Sequence, residues 1–211
     1  MKPSSLERSR QTFDRQAWSY DTASYGRHAR TLYPIVLEQL EQIPHRSILD
    51  VGCGTGALLQ AVRTKFPEAR CAGLDLSEHM LTVAREKLDP SVLLKQGEAA
   101  RLPFDSSSFE AVICNDSFHH YPQPKQALRE MARVLRPGGV LLLSDCTAPA
   151  GIRKILNWFL PLSREGDVHL YNAEELCALL SPQFSGVECR RVSSTSLLAW
   201  GIRAGAQPSA L

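Results

Sequence analysis

Ten residues, Ile48 to Ala57 (ILDVGCGTGA), constrain this chain more than any others. Ile48, Leu49 and Val51 have strand character, and Gly52, Gly54 and Gly56 then allow a tight turn into a helix. Such a turn also lets a ligand approach backbone that a side chain would block. Asp50 stands among apolar neighbours, where a carboxylate is costly unless donors meet it. A plain strand-to-helix turn needs one glycine. Three alternating glycines beside a buried acid favour a cradle for a nucleoside cofactor.

Glycine spacing alone leaves the cofactor open, because Gly52, Gly54 and Ala57 also satisfy the dinucleotide pattern G-x-G-x-x-G/A. Arg70 to Leu74 read as a second strand ending at Asp75, an acid placed to bind a ribose diol. Ser77 is a plausible N-cap for the following helix, so Asp75 can start a helix and bind ligand together. A third station, Gly97-Glu98-Ala99, precedes Leu102-Pro103-Phe104. A hydrophobic strand over Phe109–Cys114 and a helix closing at Arg136-Pro137-Gly138-Gly139 follow.

Together LDVGCGTG, GLDLS, GEAARLPF, FEAVICND and RVLRPGG resemble the class I S-adenosylmethionine-dependent methyltransferases. The group most resembled is that of the ubiquinone and menaquinone biosynthesis methyltransferases. The resemblance covers roughly residues 45–147 in ordered motifs. It implies an α/β, Rossmann-like fold whose seven-stranded, mostly parallel sheet has the order 3-2-1-4-5-7-6, with helices on both faces. It further implies S-adenosylmethionine as cofactor, held by Asp50, Gly52, Cys53, Gly54, Gly56, Asp75, Leu76, Met80, Gly97, Glu98, Ala99 and Asn115. In that reading the glycines line the methionine moiety and Asp75 takes the ribose hydroxyls. Leu76 and Met80 flank the adenine, and Glu98 meets its exocyclic amine, where the family more often has Asp.

Alternating patterns place strands near 47–51, 70–75, 91–95, 109–115 and 139–146, with helices near 57–66, 77–88 and 122–135. A further helix runs from Asn172 to about Leu180. Phe184–Arg191 and Ser194–Trp200 then read as strands, which the resemblance makes an antiparallel hairpin. A dinucleotide dehydrogenase would continue with parallel strands instead. With 211 residues, 44% hydrophobic and 22% charged, the chain is expected to form a single methyltransferase domain over 1–211. It would carry an N-terminal helical cap at 1–44 and a lid-like insert at 148–171.

Acceptor selection belongs to segments outside the repeated framework, beyond the carboxyl ends of the strands. Residues 10–33, with Phe13-Asp14 and Trp18-Ser19-Tyr20-Asp21, resemble a cap that closes over the cofactor; Tyr20 either touches it or packs the helix. Asn115 to Tyr121 follow the fourth strand, and His119 or His120 there is either a general base or a structural histidine. The segment reads NDSF, not the N/D-P-P-Y/F of nitrogen-modifying relatives, which disfavours planar nitrogen as acceptor. Ile152, Ile155, Leu156 and Phe159 share a helical face. That face reads as a lid with Trp158 and Phe159 as pocket walls, a homodimer interface, a weak membrane-surface contact, or core.

A net charge of +2 with interspersed signs argues against nucleic acid as partner. Arg8, Arg10, Arg15, Arg27 and Arg30 read as solvated helix faces. The six cysteines lack C-x-x-C or matching histidine spacing, so no metal is expected. Free thiols, an N-terminus without the apolar stretch of a signal peptide, and no long apolar span point to a cytoplasmic chain without stable membrane insertion. The expected function is methyl transfer from S-adenosylmethionine to a small organic acceptor, at carbon or oxygen before nitrogen. A nicotinamide-dependent oxidoreductase and a non-catalytic S-adenosylmethionine-binding protein remain as alternatives.

Overall fold

The computed structural model describes residues 3–204; residues 1–2 and 205–211 of the expected domain lie outside that range. Seven strands form one sheet: β1 (Ser47–Val51), β2 (Arg70–Asp75), β3 (Leu93–Gln96), β4 (Phe109–Asn115), β5 (Leu135–Cys146), β6 (Phe184–Arg191) and β7 (Ser196–Arg203). Their order is β3-β2-β1-β4-β5-β7-β6. The first five pair in parallel, while β7 runs antiparallel to both β5 and β6. That closing hairpin is the feature that separates this topology from an all-parallel dinucleotide fold.

Strands buried on both faces must be apolar on both faces, and alternation then sorts their side chains into two cores. Leu49, Val51, Val112, Cys114, Leu141 and Leu143 face one side, together with helices α5 (Pro124–Val134) and α7 (Ala173–Leu180). Ile48, Ala111, Ile113, Val140 and Leu142 face the other, beneath α2 (Arg27–Leu40), α3 (Ala57–Lys65) and α4 (Glu78–Lys87). Each fully buried Leu or Ile contributes roughly 1.5–3 kcal/mol. The free energy is therefore concentrated in the central strands, whose ends carry the site.

Three strands differ in their bounds from the sequence expectation, each for a local reason. β3 starts at Leu93, because Asp89 closes a turn by accepting from the Ser91 and Val92 N–H groups. β5 begins at Leu135 directly after α5. The Arg136-Pro137-Gly138-Gly139 stretch bulges out of the ladder, which resumes at Val140 opposite Ala111. β7 starts at Ser196, since the Ser193 hydroxyl turns the chain by accepting from Thr195 N–H, and it continues to Arg203.

The N-terminal cap consists of α1 (Ser5–Gln16), a 3-10 turn at Ala17–Ser19 and α2. Asp14 accepts from the Ser77 hydroxyl at 2.6 Å, and Ser77 is the N-cap of α4. Asp21 accepts from the Thr55 hydroxyl at 2.6 Å and pairs with Lys87. The arginines expected as solvated faces are partly tied down instead. Arg8 donates to Ser163 O at 3.0 Å, Arg15 to the Thr12 hydroxyl, and Arg30 to the carbonyls of Tyr20 and Ala23. Guanidinium donors here close loops that lack a sheet or helix ladder.

Residues 148–171 include α6 (Ala150–Phe159), as their helical spacing predicts, followed by a 3-10 turn at Leu160–Leu162. The apolar face of α6 points away from the protein: Trp158 is 83% exposed, and Ile152, Ile155, Phe159 and Leu162 are also exposed. The face turned inward is polar. Arg153 is buried against Glu175 at 2.6 Å and Asn157 bonds to Leu170. Among the described residues no helix is long and apolar enough to cross a membrane.

Asp21→Ala removes one hydroxyl bond and one ion pair that hold the cap. Hydrogen exchange is expected to rise selectively over residues 5–22 while the sheet stays protected. The stability loss should be about 1–2 kcal/mol, read from a urea melt; uniform loss of protection would contradict this separation.

Candidate functional site

At the carboxyl ends of β1, β2 and β4 the structure encloses about 870 Å³ of empty space, open mouth included. Three framework stations and the cap supply its walls. Asp50, Gly52, Cys53, Gly54 and Thr55 come from the β1 turn. Asp75, Leu76 and Met80 come from β2 and α4, Glu98 and Ala99 from the loop after β3, and Asn115 from β4.

The β1 turn is held open by backbone geometry. Gly52 has φ +83°, and a Cβ there would lie 2.5 Å from the Ser117 hydroxyl. Gly54 has φ +53°, with nothing within 4 Å of its Cβ position, so a ligand has room at the backbone itself. Gly56 and Gly97, expected at the cofactor, lie outside the pocket wall. The open side of Gly56 faces Leu88 and Ala84, and that of Gly97 faces Leu74 and Pro103; both glycines serve close packing.

Two carboxylates dominate the electrostatics. Asp75 accepts from Gly54 N–H and from Ser77 N–H, both at 2.8 Å. Burial still raises its pKa to about 6, against the pull of those backbone donors. Asp50 is 2% exposed, and its Oδ1 has no hydrogen-bond partner. Burial, and then the charge of Asp75, push its pKa up to about 8. An orphaned buried carboxylate oxygen beside an open glycine cradle suits a ligand that brings a cation or a donor.

S-adenosylmethionine fits these residues on the geometry alone. Its ribose diol matches the acceptor oxygens of Asp75, its charged methionine end matches the orphaned Asp50, and the space at Gly54 accommodates close approach. Leu76 and Met80 supply apolar walls for a base, and Glu98 borders the same cavity.

The cap closes the pocket with Leu6, Ser9, Phe13, Tyr20 and Tyr33. Phe13 stands edge-on to Tyr20 at 6.1 Å and to His120 at 5.1 Å. Burial raises the Tyr20 pKa, so its hydroxyl stays protonated and can donate. The sequence placed Phe13 and Tyr20 in this cap but gave no sign of Leu6, Ser9, Ala29 and Leu58. None of these carries a motif; the fold brings them there. Asp116, Ser117 and Tyr121 also line the wall, and their position directly after β4 was the available signal.

The two histidines part company. His120 borders the pocket and is held below its ordinary pKa by burial and then by His119, against Asp167, so it is neutral at pH 7. His119 does not border it. Its Nδ1 lies 2.6 Å from Asp145 Oδ1, and its N–H donates to Asp145 Oδ2 at 2.8 Å. Burial disfavours a charged His119, but Cys146 and Asp145 outweigh burial and raise its pKa. A histidine engaged in this way is poorly placed to take a proton from an acceptor. Nearby, His28 bridges Asp116 Oδ1 at 2.7 Å and Ser196 Oγ at 2.9 Å, which orients the Asp116 wall. Asn115 donates to Ala29 O at 3.3 Å and accepts from the Ser144 hydroxyl at 2.6 Å.

The expected lid walls are absent from the pocket: Trp158 and Phe159 do not line it. α6 turns its Arg153 side inward, where buried Arg153 pairs with the half-exposed Glu175. The insert approaches the pocket by two routes: Ser163 and Arg164 carbonyls accept from Arg8 and Thr12 of α1, and Asp167 Oδ1 lies 3.1 Å from His120 Nδ1.

Residues 49–143 match the family described as methyltransferase domain. A demethylmenaquinone methyltransferase of Deinococcus radiodurans is 38% identical over 116 residues, covering 54% of this chain and 48% of that protein. One from Listeria welshimeri is 40% identical over 119 residues, covering 53% and 50%. The chain thus spans about half the length of the curated relatives it matches. Among solved structures, a putative methyltransferase from Haloferax volcanii, in complex with a Trm112 activator, aligns with TM-score 0.73 at 20% identity, covering 92% of this chain and 98% of that one. The [4+2]-cyclase SpnF aligns with TM-score 0.75 at 20% identity, covering 97% of each. Those two likenesses concern the fold alone. Residues 49–143 thus match the methyltransferase domain family, and the sheet that contains them has the Rossmann-like class I methyltransferase fold.

Proposed function

We propose that the protein transfers a methyl group from S-adenosylmethionine to a small, lipophilic, ring-bearing acceptor, at carbon or oxygen. The orphaned Asp50 oxygen, facing an open glycine cradle one strand away from the Asp75 carboxylate, carries this reading. The names of the curated relatives support a quinol-like acceptor. The apolar pocket wall of Leu6, Phe13, Leu58, Leu74 and Met80 is compatible with one.

When bound, the cofactor supplies an electrophilic methyl on a positively charged sulfur, and displacement there needs alignment and exclusion of water more than strong acid or base. The chain's residues divide that work. Asp75 anchors the ribose, Asp50 meets the charged methionine end, and Leu76 and Met80 sandwich the base. Phe13 and Tyr20 close the cavity from the cap and keep it dry. The SpnF likeness is the reason to test turnover as well as binding, since this fold also serves a cyclase. With labelled cofactor and a panel of phenols and quinols, product above background is expected. Tight cofactor binding without any product would favour a non-transferring protein, and preference for NAD(H) over S-adenosylhomocysteine would favour an oxidoreductase.

Asp75→Ala is expected to weaken S-adenosylhomocysteine binding by about 2 kcal/mol, roughly thirtyfold, with folding retained. Calorimetry on the folded variant checks it, and unchanged affinity would remove Asp75 from the cofactor site.

Asp50 gives a pH signature. Its carboxyl is protonated in the free protein below about pH 8, and a cationic ligand needs it ionised. Affinity should therefore rise from pH 6.5 to 9, with proton release detectable by calorimetry in buffers of different ionisation enthalpy.

For stability the sign is opposite. Because the folded pKa lies above the ordinary 3.8, the folded state holds a proton that the unfolded chain releases, and stability falls as pH climbs from about 4 through 8. Asp50→Asn should raise the melting temperature of the free protein by several degrees at pH 8.5 and leave it nearly unchanged at pH 4. It should also weaken cofactor binding. A melting difference independent of pH would contradict the assignment.

A further inference from the structure

Beside the pocket, behind His120, three side chains from two distant segments of the chain converge. His119 and His120 lie on the 3-10 turn after β4, and Asp167 on the loop after α6. Asp167 Oδ1 is 3.7 Å from His119 Nε2 and 3.1 Å from His120 Nδ1, and the three ligand atoms lie within 4.8 Å of one another. His120 is 8% exposed, and its Nδ1 makes no hydrogen bond despite that short approach. We propose that His119 Nε2, His120 Nδ1 and Asp167 Oδ1 form a binding site for a divalent transition-metal ion, Zn²⁺ first.

The distances suit metal bonds of about 2.1 Å, for which separations of 3.1 and 3.7 Å correspond to ligand–metal–ligand angles of about 95° to 125°. Two imidazoles and one carboxylate form a donor set typical of Zn²⁺ or Fe²⁺ with an open position, and Zn²⁺ brings no redox demand.

The surroundings are those of a supported ligand set. His119 Nδ1 lies 2.6 Å from Asp145 Oδ1, the carboxylate partner that fixes a metal-binding imidazole with its other nitrogen free. Asp167 Oδ2 accepts from the Ser163 hydroxyl at 2.6 Å, which orients Oδ1 toward the histidines. The two segments are already clipped by backbone, since Val168 and His169 N–H donate to His119 O at 2.8 and 3.3 Å.

A second grouping, Asp116, His119, Asp145 and Cys146, shares His119. Its donors are more committed: Asp145 is bonded to His119, and Asp116 to His28. The facing atoms of the histidine–histidine–aspartate set are engaged with one another. A metal there would take the Nδ1 lone pair of His120, making that residue a ligand and not a base. It would lock residues 163–170 against the pocket wall. The proposal does not depend on which acceptor is methylated.

The full chain, stripped by dialysis against a chelator, is titrated with ZnCl₂ and then with Co²⁺. Bound metal is measured by elemental mass spectrometry, melting temperature and cobalt absorption in the visible. One ion per chain, a rise in melting temperature and a cobalt spectrum of mixed nitrogen–oxygen ligation are expected. The near-isosteric Asp167→Asn should lower affinity about tenfold or more and abolish the melting shift, while the neighbouring Glu165→Gln leaves both unchanged. Circular dichroism confirms that both variants fold. No retained ion, or equal retention in Asp167→Asn and the parent chain, would overturn the site. So would loss of binding in Cys146→Ser with Asp167→Asn unaffected, which places the ion on the other grouping.

Discussion

The carboxylate of Asp75 is the hinge of this structure. It accepts from Gly54 N–H in the β1 turn and from Ser77 N–H at the start of α4, and so joins two strand ends and a helix at one buried point. Charge-assisted bonds of this kind are stronger than neutral ones, and here they act where water is excluded. Gly54 can therefore hold a positive φ without a side chain to brace it. These bonds fix the β1 turn and the start of α4 at the edge of the pocket. Asp50, one strand over, has no such donors, and that asymmetry makes it the receptive partner.

The cap depends on the same framework. Asp14 reaches Ser77, whose own N–H is held by Asp75, and Asp21 reaches Thr55 inside the β1 turn. Cap and cradle are thus linked through side chains that also organise the ligand site. Tightening at the cofactor would be felt by Phe13 and Tyr20, and through them by His120. This is positioning chemistry, in which rigid placement contributes more than any one reactive group.

Much of the fold was legible because strand and helix periodicities are local. The alternation of Ile48/Leu49 and of Ala111/Val112 sorts side chains into the two cores, and the resemblance carried by the ordered motifs implies the sheet order, including the antiparallel end. Boundaries slipped where side chains intervened, as at the Asp89 and Ser193 turns, since a side-chain acceptor that ends one turn gives no periodic signal. At the site, the framework stations from Asp50 to Asn115 reach one cavity, whereas Gly56 and Gly97 serve packing. α6 formed as its spacing predicts but presented its apolar face outward. Periodicity defines a face and not the direction in which it points, which here follows from the pairing of buried Arg153 with Glu175.

By itself the sequence determined that a strand would end in a glycine turn flanked by acids, because φ preference and burial cost act on neighbours along the chain. Only the tertiary structure decided which carboxylate would be satisfied, which histidine would face the cavity, and that Asp167 would meet His119 and His120. Those outcomes depend on distances between residues tens of positions apart. Such distances are set by how helices pack across the sheet, and no local pattern encodes them.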